Sequence, residues 1–279
     1  MSILMSIFLG IVQGITEFLP ISSSGHLSIL QNLLKLGYAE ESHLLFDVLL
    51  HLGTLVSICV VYRKDIALMI KGFIRFLRGS SDFSEFGDPL VPPARQALFI
   101  IVGTLPLFIL VPFYSKISLL YGKTVFIGFA LLVTGALLYA SDKYLKEGKK
   151  NEKTMTVLDA LLIGVGQAIA LIPGLSRSGT TITVGISRGL DRNYAVRFSL
   201  LLSIPAVLGS LILSLFDAIK TGIDWSLIPV YLIGFVVSAV VGYFAIGFLK
   251  KIMSSGKFGR FAYYCWAVGF LAILLSIIL

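Results

Sequence analysis

Apolar runs close to the length of a bilayer core recur along the whole chain, and they limit the folds open to it. The runs lie at 44–62, 97–115, 124–140, 198–216, 227–249 and 261–279. A membrane span needs about 20 apolar residues, because a helix rises about 1.5 Å per residue through a hydrocarbon core about 30 Å thick. A mean hydropathy of +0.94 lies outside soluble composition. The sequence therefore predicts an all-α polytopic membrane protein with six transmembrane helices in one membrane domain, residues 1–279.

Two further apolar segments are too short to span and are each broken by a polar turn. In the first, residues 3–18 and 27–36 flank a turn that follows Pro20. In the second, residues 160–172 and 181–190 flank the turn 173–180. Irregular backbone is tolerated at membrane depth only where protein buries it or where it lines a wet cavity. We therefore expect two re-entrant helical hairpins.

The two hairpins resemble each other at a constant offset of 154 residues. Segments 10–26 and 164–180 are identical at six aligned positions, which are Gly10, Gln13, Ile15, Ser22, Ser24 and Gly25 in the first copy. This match predicts a repeat with halves of about 1–140 and 155–279. Three spans follow each hairpin, and because three is odd, the second half is expected to be inverted relative to the first.

The distribution of basic residues orients the chain. Of 23 lysine and arginine residues, 18 fall on one side of the predicted spans, and four fall on the other, namely Lys35, Lys116, Lys123 and Lys220. The positive-inside rule makes the first side cytoplasmic. A multi-pass plasma-membrane protein is therefore predicted, with both termini and the mouth of the first hairpin outside. The net charge of +8 is explained by loops beside anionic lipid, and no nucleic-acid partner is expected.

The polar residues of the hairpins point to an anion site where the two turns meet. Gln13 and Glu17 are four residues apart and share one helical face. Each serine-rich turn precedes a helix whose N-terminal N–H groups favour phosphate oxygens, and Arg177 adds a guanidinium. The predicted phosphate-binding residues are Gln13, Ser22, Ser24, Gly25, Ser176, Ser178, Gly179 and Thr180. Such a site would bind, and could cleave, a phosphorylated amphiphile.

Structural alternatives exist for the same residues. Glu17 could serve only as the ion-pair partner of Arg177, since charges buried in a membrane usually pair. His26 could be a helix-capping residue, and the serines could be backbone caps. Asp47 and His51 are expected to bond between helices or to form a shell around the site.

The motifs resemble one known family. Residues 13–26 read QGITEFLPISSSGH and residues 173–180 read PGLSRSGT. Together they resemble the undecaprenyl-diphosphate phosphatase family, the bacitracin-resistance (BacA/UppP) type, over essentially the whole chain. The resemblance implies removal of the terminal phosphate of a C55 isoprenyl diphosphate at the outer face, which recycles the lipid carrier of cell-wall synthesis. By motif position it implies that Glu17, Ser23, His26 and Arg177 are essential.

The resemblance also suggests a mechanism. Arg177 and the hairpin amides would hold the diphosphate, and Ser23, or a water in its place, would attack the terminal phosphorus. Glu17 would take the proton, and His26 would orient Ser23 or act as an acid. Gln13 stands where the doubly acidic version of the motif has a glutamate. Gln13 and Glu17 suit a hard divalent cation, Mg²⁺ or Ca²⁺, held partly by the substrate.

Two other functions fit parts of the pattern. A transporter or flippase of a phosphorylated polyprenyl lipid is the main alternative, because inverted repeats with a midplane site are typical of transporters. An intramembrane Ser/His protease is the other, with His51 as its histidine, but Arg177 would then have no task. The sequence leaves prenyl chain length and a homodimer open.

Overall fold

A computed structural model describes residues 1–34, 44–78, 93–145, 148–221 and 225–278 of the chain. Within these residues the chain forms α-helices, short 3₁₀ turns and no β-strand. The helices are α1 (Ile3–Thr16), α2 (Ser23–Leu33), α3 (Leu44–Val61), α4 (Arg63–Leu77), α5 (Pro93–Leu110), α6 (Tyr114–Ser118), α7 (Thr124–Tyr144), α8 (Val157–Ile169), α9 (Arg177–Ser187), α10 (Arg192–Thr221), α11 (Ile228–Ser254) and α12 (Phe261–Ile278). Lys35, which was predicted to close the first hairpin, lies outside the described residues.

Among the described residues, five helical segments are long and apolar enough to cross a membrane. They are Pro93–Phe113, Thr124–Tyr144, Arg192–Leu213, Trp225–Ser254 and Phe258–Ile278. A sixth exists if α3 and α4 count as one span, although the chain bends by 80° between them. The predicted span 44–62 is thus the first arm of a bent pair. A multi-pass helical membrane protein is confirmed, with five or six candidate spans.

The short apolar helices form two similar pairs, α1 with α2 and α8 with α9. Within each pair the helices pack against one another. The pairs begin at Ile3 and Val157, and their second helices begin at Ser23 and Arg177, so both separations are 154 residues. The second helices start four residues earlier than predicted, because Ser22 and Ser176 act as N-caps.

The contacts between the halves are reciprocal. Helix α1 packs on α11 and α8 packs on α5, while α3 packs on α11 and α10 packs on α5. Glycines at matched repeat positions permit the first two contacts. A Cβ atom on Gly10 would lie 2.8 Å from the Gly234 carbonyl oxygen, and one on Gly164 would lie 2.2 Å from the Gly103 carbonyl oxygen. The glycine identity of the repeat thus reflects close backbone approach at two equivalent helix crossings.

Candidate functional site

The first hairpin turn begins with a paired amide and carboxylate. Helix α1 ends at Thr16, and Glu17 is its C-cap residue. Gln13 Nε2 donates to Glu17 Oε2 over 3.1 Å, so the shared face predicted from their spacing is confirmed. Glu17 is buried, with only 6% of its side chain exposed.

Both second helices of the hairpins carry the same serine cap. The Gly25 amide donates to Ser22 Oγ over 3.2 Å, and the Gly179 amide donates to Ser176 Oγ over 3.1 Å. The capping serines were predicted as phosphate ligands, with capping as their structural alternative. The structure places their oxygens on helix amides, which leaves the first two amides of each helix as the donors available to an anion.

The hydroxyls two positions further on complete the matched geometry. Ser22 Oγ lies 3.4 Å from Ser24 Oγ, and Ser176 Oγ lies 3.3 Å from Ser178 Oγ. Ser178 Oγ also donates to the Leu19 carbonyl over 3.2 Å, which joins the second hairpin directly to the first turn. The same cap and the same hydroxyl contact therefore occur in both turns.

The two hairpins meet at the carboxylate of Glu17. Ser23 Oγ donates to Glu17 Oε2 over 2.6 Å, and Arg177 Nη2 donates to Glu17 Oε1 over 2.8 Å. Ser23 and Arg177 are the first residues of their helices, so equivalent positions of the repeat hold opposite oxygens of one carboxylate. The predicted proximity of Glu17 and Arg177 is correct.

An imidazole from α3 faces the same carboxylate. His51 Nε2 lies 3.9 Å from Glu17 Oε2. The ring is oriented by its other nitrogen, which lies 2.8 Å from the Asp47 carbonyl oxygen. Asp47 Oδ1 in turn accepts a 2.9 Å bond from Gln31 Nε2. The structure places Asp47 and His51 in the shell around the site, where the sequence predicted them.

These groups line a cavity of about 670 Å³. Its lining includes the group of Glu17, Ser23 and Arg177, together with Asp47 and His51 of α3. The rest of the described lining combines hydroxyls with a larger apolar part, which includes Leu27, Leu107, Leu119, Leu171, Leu175 and Leu211. A cavity that contains both a charged group and a large apolar surface suits an amphiphile with an anionic head.

His26 does not lie with the other predicted catalytic residues. It is absent from the described wall of this cavity and instead lines a separate apolar groove formed by α1, α2 and α12. Both of its ring nitrogens have partners: Nδ1 lies 2.8 Å from the Ser22 carbonyl oxygen and Nε2 lies 2.9 Å from Tyr264 Oη. The capping alternative considered for His26 therefore matches its position.

Buried polar atoms without a partner concentrate at the hairpins. Within the described part of the chain they include Gln13 Oε1, both amide atoms of Gln167, Arg177 Nη1 and Thr180 Oγ1. Buried polar groups in folded proteins are nearly always hydrogen-bonded, so an atom without a partner indicates a place for ligand or water. Of these residues, Gln167 and Arg177 line the cavity. Arg177 Nη1 is the strongest candidate to bind an anion. The other terminal nitrogen of this guanidinium, Nη2, already bonds Glu17 and fixes its position.

The site fits a divalent cation only in part. No group of three or more His, Cys, Asp or Glu side chains that could hold a metal occurs in the described residues. Gln13 Oε1 is an oxygen donor without a partner, which suits Mg²⁺ or Ca²⁺. The Glu17 oxygens already accept bonds from Ser23, Gln13 and Arg177. A cation here would need most of its ligands from a bound phosphate.

Two residues that support the turns were missed by sequence reasoning. Thr134 of α7 donates to the Gly174 carbonyl over 2.9 Å and accepts from the Ser176 amide over 3.1 Å. Tyr264 of α12 bonds His26. Both lie on apolar spans outside the motifs, and no spacing pattern in the sequence marks them.

The fold and the site define a polytopic helical membrane protein with a cavity between two similar helix pairs, lined by Glu17 and Arg177. A family model described as "Bacitracin resistance protein BacA" matches residues 6–271. The chain belongs to this family.

The similar proteins include three archaeal ones with the name undecaprenyl-diphosphatase. The protein from Methanosphaera stadtmanae is 42% identical over 100% of both chains. The Methanobrevibacter smithii protein is 39% identical over 99% of both, and the Korarchaeum cryptofilum protein is 40% identical over 96% of this chain and 97% of its own. The similarity therefore extends over the whole length of the relatives.

Proposed function

We propose that this chain hydrolyses undecaprenyl diphosphate to undecaprenyl phosphate and inorganic phosphate. The observation that carries the proposal is the Glu17 carboxylate, held by Ser23 on one oxygen and by Arg177 on the other. A nucleophile hydroxyl is thereby paired with a base, beside a guanidinium whose second nitrogen has no protein partner. Full-length relatives named undecaprenyl-diphosphatase support the same substrate.

In the first step Ser23 Oγ attacks the terminal phosphorus. Its proton passes to Glu17 Oε2, 2.6 Å away, as the Oγ–P bond forms. The bond from this phosphorus to the bridging oxygen breaks, and that oxygen leaves with the electron pair on undecaprenyl phosphate. Arg177 Nη1 and the first amides of α2 and α9 stabilise the charge on the transferred group.

In the second step water releases the phosphate from Ser23. Glu17 gives its proton to the departing lipid phosphate and then accepts one from the attacking water. The water oxygen bonds to the phosphorus as the P–Oγ bond breaks, and Glu17 passes the proton taken from the water to Ser23 Oγ, so both residues return to their starting state. His26 orients the turn that carries Ser23, a role supported by its bond to the Ser22 carbonyl.

A divalent cation, Mg²⁺ or Ca²⁺, is proposed as a substrate-borne cofactor. Gln13 and Glu17 would hold it on the protein side, and Gln13 Oε1 is the atom with no protein partner. When bound, a cation supplies charge neutralisation to the diphosphate.

The finer topology is also a proposal. Two matched hairpins 154 residues apart, with reciprocal packing of α1 on α11 and α8 on α5, support an inverted repeat. Helices α1 and α8 have 14 and 13 residues, which is short for a span and supports re-entrant hairpins within a single membrane domain. The bias of basic residues supports outward termini and an outward mouth of the first hairpin, and a homodimer stays a prediction.

Phosphate release from undecaprenyl diphosphate by purified protein in detergent tests the function. We expect Glu17→Gln to lower kcat by about 10²–10⁴-fold, as for loss of a general base. Arg177→Ala should lower it by about 10²–10³-fold, as for loss of a charge-stabilising donor. Wild-type rates in both variants would refute the assignment, and a wild-type protein that releases no phosphate would refute the function.

Two controls complete the assay. Arg63→Ala removes an exposed guanidinium at the start of α4 whose Nη1 donates to the Val60 carbonyl at the end of α3, away from the cavity lining, so phosphate release should not change. Chelation of divalent cations should lower the rate if a cation accompanies the diphosphate, and an unchanged rate would remove the metal from the proposal.

A further inference from the structure

The tautomer of His26 is fixed by its two partners. Nδ1 faces the Ser22 carbonyl oxygen, which can only accept, so Nδ1 carries a hydrogen and donates it. In the neutral ring Nε2 is then an acceptor, and Tyr264 donates its hydroxyl to it over 2.9 Å. The two rings are nearly parallel, with 9° between their planes and 5.6 Å between their centroids. His26 therefore has no nitrogen directed at the reacting groups.

The carbonyl that His26 holds belongs to a strained residue. Ser22 has φ of +69°, in the region that L residues rarely adopt, and it is the only such non-glycine residue in the described chain. Its carbonyl accepts two bonds from His26, one from the backbone amide at 3.1 Å and one from Nδ1 at 2.8 Å. A conformation of this kind persists only where its surroundings fix it.

The orientation of this carbonyl determines where Ser23 lies. The peptide unit from the Ser22 carbonyl to the Ser23 amide is planar, so fixing the carbonyl oxygen also fixes the amide and Cα of Ser23. Ser23 Oγ must lie within bonding distance of Glu17 Oε2, which it reaches at 2.6 Å. A rotation of the Ser22–Ser23 peptide would move the hydroxyl away from its base.

Tyr264 contacts His26 from outside the cavity that contains Glu17. It lies on α12, and no residue of α12 is among the described lining of the cavity that contains Glu17. It instead lines the apolar groove with His26. Its route to Ser23 is through His26 and the Ser22 carbonyl.

We propose that Tyr264 is a positioning residue for Ser23, and that His26 acts through its Nδ1–H bond to the Ser22 carbonyl and not as an acid. This inference rests on the proposed function. Tyr264 and His26 influence Ser23 through hydrogen bonds and a planar peptide, without contact with the substrate site. Their substitution should therefore change kcat more than KM.

Tyr264→Phe tests the first part, with Tyr263→Phe as the matched control. Tyr264→Phe keeps the ring and removes only the hydroxyl, so we expect kcat to fall about 5- to 20-fold with KM unchanged, as for one lost hydrogen bond. Tyr263 is 61% exposed and packs edge-on against Trp266, and its phenylalanine variant should keep wild-type kinetics. Equal kinetics in both variants and wild type would overturn the proposal.

Two substitutions of His26 separate its nitrogens. An asparagine amide nitrogen stands where Nδ1 stood, whereas a glutamine amide nitrogen stands near Nε2. His26→Asn loses only the bond to Tyr264 and should keep kcat within about 20-fold of wild type, whereas His26→Gln should lose about 100-fold, because only the asparagine can donate to the Ser22 carbonyl. The reverse order would show that Nε2 performs the chemistry and would overturn the inference.

A double variant distinguishes positioning from general loss of structure. Asparagine at position 26 is too short to reach Tyr264, so Tyr264→Phe should add less than about twofold to His26→Asn. If Tyr264→Phe has its full effect in both backgrounds, it acts through the fold and the proposal is wrong. Absence of phosphate release by wild type would refute the proposed function instead, so the two failures are distinguishable.

Discussion

The two hairpins share a scaffold and divide the chemistry between them. Each has a serine cap, a glycine amide bonded to that serine and a hydroxyl pair about 3.4 Å apart. At the first position of the following helix one supplies Ser23 and the other Arg177. The first hairpin also supplies the carboxylate of Glu17, where the second has Leu171. A repeat can therefore keep the bonds that fix its backbone while the residues that line the cavity diverge.

The hairpins also fix their turns by different means. In the second, the positive φ falls on Gly174 at +93°, and the capping Ser176 is relaxed at −73°. In the first, Ser22 itself has the positive φ and His26 holds its carbonyl. A left-handed glycine has little strain, whereas the same conformation in another residue costs about 1–3 kcal/mol. Only the first turn therefore needs a dedicated imidazole.

Replacing Ser23 should have the largest effect on activity, because it removes the group that only the first hairpin supplies. Ser23→Ala removes the hydroxyl bonded to Glu17, and we expect kcat to fall by at least about 10³-fold in the phosphate-release assay, as for loss of a nucleophile. Ser24→Ala is the control, because Ser24 Oγ contacts another hydroxyl at 3.4 Å, and it should lose less than about tenfold. Retention of more than a tenth of the activity in Ser23→Ala would show that water attacks directly.

Gly174→Ala tests the way the second turn is held. A Cβ there would lie 2.7 Å from Ala130 Cβ and from the Ile127 carbonyl oxygen. We expect a loss of about 1–2 kcal/mol from the left-handed φ and about 1–3 kcal/mol from overpacking, measured by thermal unfolding in detergent. Because Arg177 lies three residues further on, phosphate release should fall as well.

Gly256→Ala is the matched control for that prediction. Gly256 has φ of +67°, but nothing lies within 4 Å of the Cβ that it would gain. The Gly256→Ala variant should lose only the stability that the left-handed φ costs, about 1–2 kcal/mol, and its kcat should be unchanged. Equal destabilisation in the two variants would mean that the tight packing of the second turn on α7 contributes nothing.

His51→Ala should have the smallest effect. His51 Nε2 lies 3.9 Å from Glu17 Oε2, beyond hydrogen-bond distance, and belongs to neither hairpin. We expect a decrease in kcat/KM of about tenfold, equivalent to about 1.4 kcal/mol, from loss of a polar group that lines the cavity beside Glu17. A decrease as large as that of Glu17→Gln would make His51 an equal partner of the hairpins and would break the two-hairpin comparison.

Local spacing made part of the structure predictable. The Gln13–Glu17 pair follows from a separation of four residues in a helix, and the serine caps follow from serine three positions before glycine. The helix starts were predicted four residues too late because the polar residues of the motif were taken as a turn, although they form the first helical turn. The proximity of Glu17 and Arg177 followed from the repeat and from the cost of an unpaired charge in a membrane.

The roles of the histidines could not be predicted in the same way. His26 and His51 each direct Nδ1 to a backbone carbonyl four residues earlier, at 2.8 Å in both cases. Their local bonds are thus alike, yet one Nε2 meets Tyr264 in an apolar groove and the other faces Glu17 in the cavity. The motif predicts His26 as the catalytic histidine, but the packing of the helices directs the ring of His51, and not that of His26, towards Glu17.

The sequence by itself determined the membrane class, the paired hairpins and the bonds within each turn, because these depend on hydropathy and on separations of three or four residues. The tertiary structure decided which groups from distant helices complete the turns: Thr134 beside Gly174, and Tyr264 beside His26. The rotation of a span about its own axis is set by packing against its neighbours, including the glycine crossings of α1 on α11 and α8 on α5. The rotation of a span therefore cannot be predicted from the local sequence pattern.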